Sequence, residues 1–159
     1  MIWWLTAVGV TLSSSAAFLK LSRRAEASKA RSAPSGGNFL IVTHPDPYAP
    51  YLLSQAIRAG GLLFVCGQAG YGDDGVIVGN DDFDRQADQA FGNLRRALEA
   101  GGSGLDRVVK VTIFLTSMTH FAKIVELRRK WFSMPYPADT IVEVRRSRKA
   151  TPASRASPL

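Results

Sequence analysis

Hydrophobic and polar positions alternate along this chain in distinct rhythms, and each rhythm predicts an element. Residues 108–115 read VVKVTIFL, a nearly continuous apolar and β-branched run that predicts a central strand. Upstream, Ala87, Ala90, Phe91, Leu94, Ala97 and Leu98 recur at helical spacing and put one apolar stripe on a helix over 84–100. Asp81, Asp82 and Asp84 stand at its start, where the helix dipole favours anions, and Gly101-Gly102 supplies the stop. The twelve-residue ligand pattern of a calcium loop is missing, so these acids read as caps. Residues 54–68 (SQAIRAGGLLFVCGQ) hold two short apolar arms, 55–58 and 62–66, hinged at Ala59-Gly60-Gly61. This is a hairpin signal, with glycine where the backbone needs positive φ.

The remaining elements follow from the same logic. Residues 38–43 (NFLIVT) predict a strand, and three prolines within 44–50 force a loop. Residues 71–80 carry Gly/Asp-rich turn chemistry around Val76-Ile77-Val78. A second helix capped by Thr119 would turn Phe121, Ile124, Val125, Leu127, the Arg128 stem, Trp131 and Phe132 inward, with Arg128-Arg129-Lys130 as a solvated face. Pro135 and Pro137 end it, and 140–144 (TIVEV) predicts a last strand. The order β-ββ-α-β-α-β gives an α+β two-layer sandwich: a mixed, mainly antiparallel sheet with two helices on one face. Its other face lacks cover and should bury itself against other subunits.

Size and charge narrow the function classes. The 159 residues suit one domain, and 37–144 is long enough to bury roughly 65% of its unfolded surface. The net charge of +7 is concentrated outside it: residues 1–36 carry +4 and 145–159 carry +5, leaving the middle at −2. A basic chain often signals nucleic acid, but a slightly acidic globular part argues against such a partner. Cys66 is the only cysteine, which excludes an internal disulfide and a thiolate metal cluster. His44 and His120 stand alone and read as loop or cap residues, so neither a metal nor a cofactor is expected. The chain divides into an uncharged leader and basic linker over 1–37, a domain over 38–144 and a basic tail over 145–159 without strand patterning. Residues 2–19 carry no charge and nearly reach the length of a membrane span, but hydroxyl side chains weaken it and no basic residue precedes it. Two readings of the leader stand level, an anchor that leaves the domain on the cytoplasmic side or a disordered or spurious extension outside the fold, with cleaved export third.

Taken together, Ser54-Gln55-Ala56, Cys66-Gly67-Gln68, Gln86 through Asn93-Leu94, Val108-Val109-Lys110-Val111-Thr112 and Pro137-Ala138-Asp139-Thr140 resemble the RidA/YjgF family of small enamine/imine deaminases over residues 38–144. The resemblance implies a chorismate-mutase-like fold, a homotrimer, a cytoplasmic setting and small-metabolite clefts between subunits. It also implies hydrolytic deamination, in which an Arg after Pro-Ala grips the substrate carboxylate bidentately and water attacks the imine carbon, aided by a carboxyl group on the last strand.

The positions that carry this chemistry are changed. Asp139 stands where the family has that Arg, and two like charges about 4 Å apart repel by about 1–4 kcal/mol. Val125 replaces a common Asn, Leu53 a common pocket Tyr, and Cys66 the turn Ser. The last strand with its acid is replaced by RRSRKATPASRASPL, either a disordered tail or the product of a reading frame shifted near Val144. Without that strand, 140–144 or its neighbour should present an open edge. No catalytic residue is assigned. Cys66, Gly67 and Asp139 are the candidate substrate-binding residues of an inter-subunit cleft, Cys66 more as packing than as nucleophile, and Asp139 either as a surface strand residue or as a receptor for a cation. The expected function is weak or altered imine hydrolysis; the alternative is a non-catalytic oligomeric binding module or the product of a damaged gene.

Overall fold

The computed structural model describes the backbone of residues 4–8 and 39, and residues 40, 41, 43, 46, 48–59 and 61–145 in full. Its elements in chain order are β1 (Trp4–Val8), β2 (Phe39–Ile41), β3 (Ala56–Ala59), β4 (Leu62–Gln68), α1 (Phe83–Ala100), β5 (Lys110–Leu115), α2 (Phe121–Trp131) and β6 (Ala138–Glu143). The strands form one sheet in the order β2-β3-β4-β1-β5-β6, antiparallel throughout except for the β5–β6 pair. This is the mixed α+β sheet that the hydrophobic patterning predicts.

Period-2 burial makes the sheet two-faced. Leu63 and Val65 of β4 and Val111, Ile113 and Leu115 of β5 are buried beneath the helices with Ala56 of β3. Helix α1 presents Phe83, Ala87, Ala90, Phe91, Leu94, Ala97 and Leu98 to the same core. Asp82 is its cap, accepting the Arg85 N–H at 3.1 Å, so the acidic cluster caps as expected. Gly61, with φ of 80°, turns the β3–β4 hairpin. Gly101 lets the end of α1 lie against β4, since a Cβ there would run into the Leu63 side chain.

Helix α2 departs from its predicted face. Ile124, Leu127 and Phe132 are buried, and Trp131 is half-buried and stacked at 5.5 Å on Phe91. Phe121 and Val125, expected inward, are exposed. The expected cap is also absent: a 3-10 turn at Met118–His120, capped by Ser117 accepting the Thr119 N–H, precedes the helix, which itself starts after His120 with no side-chain cap. His120 stacks on Phe83 with ring centroids 4.3 Å apart.

The largest difference lies in the leader. Trp4–Val8, assigned by sequence to a segment outside the domain, forms a central strand between β4 and β5. Leu5 pairs with Gln68 and Ile113, Ala7 with Val65 and Val111, and Val8 with Phe64 and Lys110. The sheet is therefore continuous from β2 to β6, and its edges are β2 and β6. Among the described residues β6 is the edge strand at that end, where the open edge is expected near 140–144, and β1 fills the space between β4 and β5. Among the described residues no helix is long and apolar enough to cross a membrane. The rest of the leader and linker, His44 and the tail from Arg146 onward lie outside the described residues.

Candidate functional site

The end of β4 is built by polar side chains that tie down its backbone. Tyr48, held in place by its N–H donating to Asp46 Oδ1 at 2.9 Å, is buried and donates its hydroxyl to the Gly67 carbonyl at 2.5 Å. Gln55 is buried one strand over: its amide and the Thr43 hydroxyl and N–H exchange hydrogen bonds of 2.6–2.9 Å, while its carbonyl accepts from the Cys66 N–H at 2.9 Å. Gln68, also buried, donates from Nε2 to the Cys66 carbonyl at 2.9 Å. On α1, Asn93 donates to the carbonyls of Ala69 and Tyr71, each at 2.9 Å, and fixes the path of the chain leaving β4. Gln86 does the same for Gly79 at 2.9 Å.

These contacts set the electrostatics. Burial pushes the Tyr48 hydroxyl well above the ordinary tyrosine range, with the Cys66, Tyr71 and Asp46 charges adding to the effect. Burial likewise raises the Cys66 thiol, against a smaller lowering by the Gly67 backbone. Both groups are therefore held protonated at neutral pH. A thiol so held is a poor nucleophile.

Asp139 lies elsewhere. It pairs with Val111 in the β5–β6 register, on the side of the sheet that faces α2. Its Oδ2 accepts from Arg128 Nε at 2.7 Å and from Nη2 at 2.5 Å. The side chains are 25% exposed for Arg128 and 16% for Asp139. Asp139 is therefore paired within its own chain, its carboxylate held by the Arg128 guanidinium. This corrects the reading of Arg128 as part of a solvated face. Two β-branched or aromatic-rich elements, β6 and α2, bring the pair together across the sheet–helix interface.

Within one chain Cys66 and Gly67 do not meet Asp139. Strands β1 and β5 intervene, so three inter-strand spacings, about 14 Å, separate them. Tyr48 escaped the sequence reading because it sits in a proline-rich loop, where only the Asp46-x-Tyr48 turn hints at a fixed position. Among the described residues no group of three or more His, Cys, Asp or Glu is placed to hold a metal ion.

A sheet with two helices on one face, with a glutamine- and tyrosine-braced turn at the end of its long hairpin strand, defines a small α+β protein of the chorismate-mutase-like class. The comparisons give that class a family. The endoribonuclease L-PSP family model matches residues 42–152, and the chain belongs to this family, the RidA/YjgF family of the motifs above. A RutC family protein of Pyrococcus horikoshii is 39% identical over 64% of this chain and 79% of its own length. A 2-iminobutanoate/2-iminopropanoate deaminase of Dermatophagoides farinae is 33% identical over 63% of this chain and 77% of its own. Among solved structures, yeast Mmf1 superposes with a TM-score of 0.63 at 32% identity, covering 69% of this chain and 86% of Mmf1. RidA from an Antarctic Psychrobacter superposes with a TM-score of 0.55 at 34% identity, over 59% and 76% of the two chains.

Proposed function

We propose that this protein is a Rid-type imine-handling protein whose ligand preference has moved away from α-imino acids. One observation carries the reading: the position after Pro137-Ala138 holds Asp139, and Asp139 is neutralised by Arg128. A substrate carboxylate brought to that point would meet a carboxylate, and the nearby guanidinium is committed to it. Such a site favours an imine without a carboxylate. Cys66 and Gly67 at the end of β4 would line the other wall, contributed by a neighbouring subunit, since one chain holds them too far from Asp139 to share a ligand.

Hydrolysis of an imine requires water to add to the C=N carbon, a proton to reach nitrogen, and ammonia to leave as the carbonyl forms. Neither Tyr48 nor Cys66 is tuned to act as a base for that water, because burial holds both protonated. The rate is therefore expected to be low. The open sheet face supports assembly: Leu40 and Phe64, which flank Ile57 across the β2-β3-β4 ladders, are 55% and 42% exposed, and Val142 on β6 is 38% exposed. Three copies packed through this face would make the trimer.

The test generates two imines in situ, one from an amino acid with an amino-acid oxidase and one from a primary amine with an amine oxidase. Carbonyl release is followed with and without the protein. Acceleration of the amine-derived imine alone is the expected result. Acceleration of the α-imino acid overturns the proposed preference, and spontaneous rates for both favour the non-catalytic binding module.

A further inference from the structure

β1 differs from every other strand in how it is held. The hairpin joins β3 directly to β4, and α2 carries the chain from β5 to β6. No short connection joins β1 to either neighbour. It reaches β2, at the sheet edge, through residues 9–38, yet it pairs with β4 and β5 in the middle. It runs antiparallel to both, so β4 and β5 run parallel to each other across it. Strands that sit two spacings apart, about 10 Å, cannot hydrogen-bond directly. Without β1 the two inner ladders would be left unpaired above α1, which packs beneath both β4 and β1. The space is one strand wide, lined by hydrogen-bonding groups on both sides, and its occupant is an apolar pentapeptide with no charge, WLTAV.

We infer that the space between β4 and β5 is a strand-binding slot, and that its ligand is the chain's own Trp4–Val8 segment, added in extended form and separable from the rest of the domain. The recognition is main-chain pairing on two sides, which is the chemistry by which sheets capture extended peptides at an edge, here doubled. Tethering through residues 9–38 makes the pairing intramolecular and favours the chain's own segment over a free peptide of the same sequence.

Two measurements on the full chain test this. In a Cys66→Ala background, Thr6→Cys/Thr112→Cys and Val8→Cys/Lys110→Cys place cysteines at directly paired positions, within the Cα separations a disulfide bridges. Mild oxidation with diamide should give a bond within one chain in at least one pair, read by mass and by a non-reducing gel. A bond between chains means that a second copy's segment fills the slot, and no bond in either pair means that the segment lies elsewhere. Both results overturn the inference.

The second measurement uses Leu5→Pro/Thr6→Pro. Successive N–H groups of a strand point to opposite neighbours, so this variant loses a donor toward each ladder. It should lose the near-UV circular dichroism of the packed core, and a synthetic peptide of residues 2–10 should restore it where the proline-bearing peptide does not. An unchanged spectrum in the variant overturns the inference. So does a failure of the native peptide to restore it.

Discussion

The Arg128–Asp139 pair offers the sharpest quantitative test. Removing one partner from a fully buried pair costs about 3–5 kcal/mol, whereas exposed pairs contribute about 0–1 kcal/mol. Here the side chains are 25% and 16% exposed and are joined by two short hydrogen bonds to one oxygen. Either single change, Arg128→Met or Asp139→Leu, should then cost about 2 kcal/mol, because it leaves the opposite charge in a half-buried interface. Replacing both removes the charges together, and apolar replacements fill the space. The double variant should lose about 2 kcal/mol rather than the additive 4, a coupling of about 2 kcal/mol. Urea denaturation of the four proteins at one pH and salt concentration measures the cycle. In thermal scans each single variant should fall by about 4–8 °C. A coupling below about 0.5 kcal/mol would show that Arg128 is held by packing and not by Asp139, and the argument that this carboxylate is already occupied would fail.

Two further outcomes follow from the geometry. Phe64→Glu puts a charge in the middle of the open sheet face, so light scattering during gel filtration should show a single chain with its helical circular dichroism intact; an unchanged oligomeric mass would place the subunit contact elsewhere. Tyr48→Phe removes the donor to the Gly67 carbonyl and should cost about 1–2 kcal/mol near neutral pH. Because burial raises the Tyr48 hydroxyl, the folded state prefers it protonated. The stability it contributes is complete below the ordinary tyrosine pKa, about 10, and is lost as pH rises beyond it. The variant should therefore show a shallower loss of urea midpoint than wild type above about pH 10. Cys66, also raised, gives both proteins a common slope that begins in the ordinary thiol range. Identical slopes in the two proteins would refute the assignment to Tyr48.

What could be read from the sequence was whatever its own local period encodes. The α1 stripe and the β5 run are legible because their partners are other turns of the same helix or a uniform core on one side. Cys66, Gly67 and Asp139 could be found as positions, but what Asp139 touches could not. Its partner sits eleven residues upstream within Arg128-Arg129-Lys130, a basic run of which only Arg128 turns toward the sheet. Thr119 does not cap α2 because it sits inside a 3-10 turn that runs directly into the helix. β1 was missed for a deeper reason. Both of its ladders are long-range, and a short uncharged segment near Trp3-Trp4 carries no alternation that separates a strand from a leader.

The position of β1 bears on how the molecule comes to be made. Its strand leaves the ribosome before any of its partners, whose pairing residues follow roughly sixty and one hundred positions later. Until those partners emerge the segment has no strand to pair with. Its docking therefore waits for β5, the later of its two neighbours, so the middle of the sheet closes only after the residues on both sides of it have been synthesised.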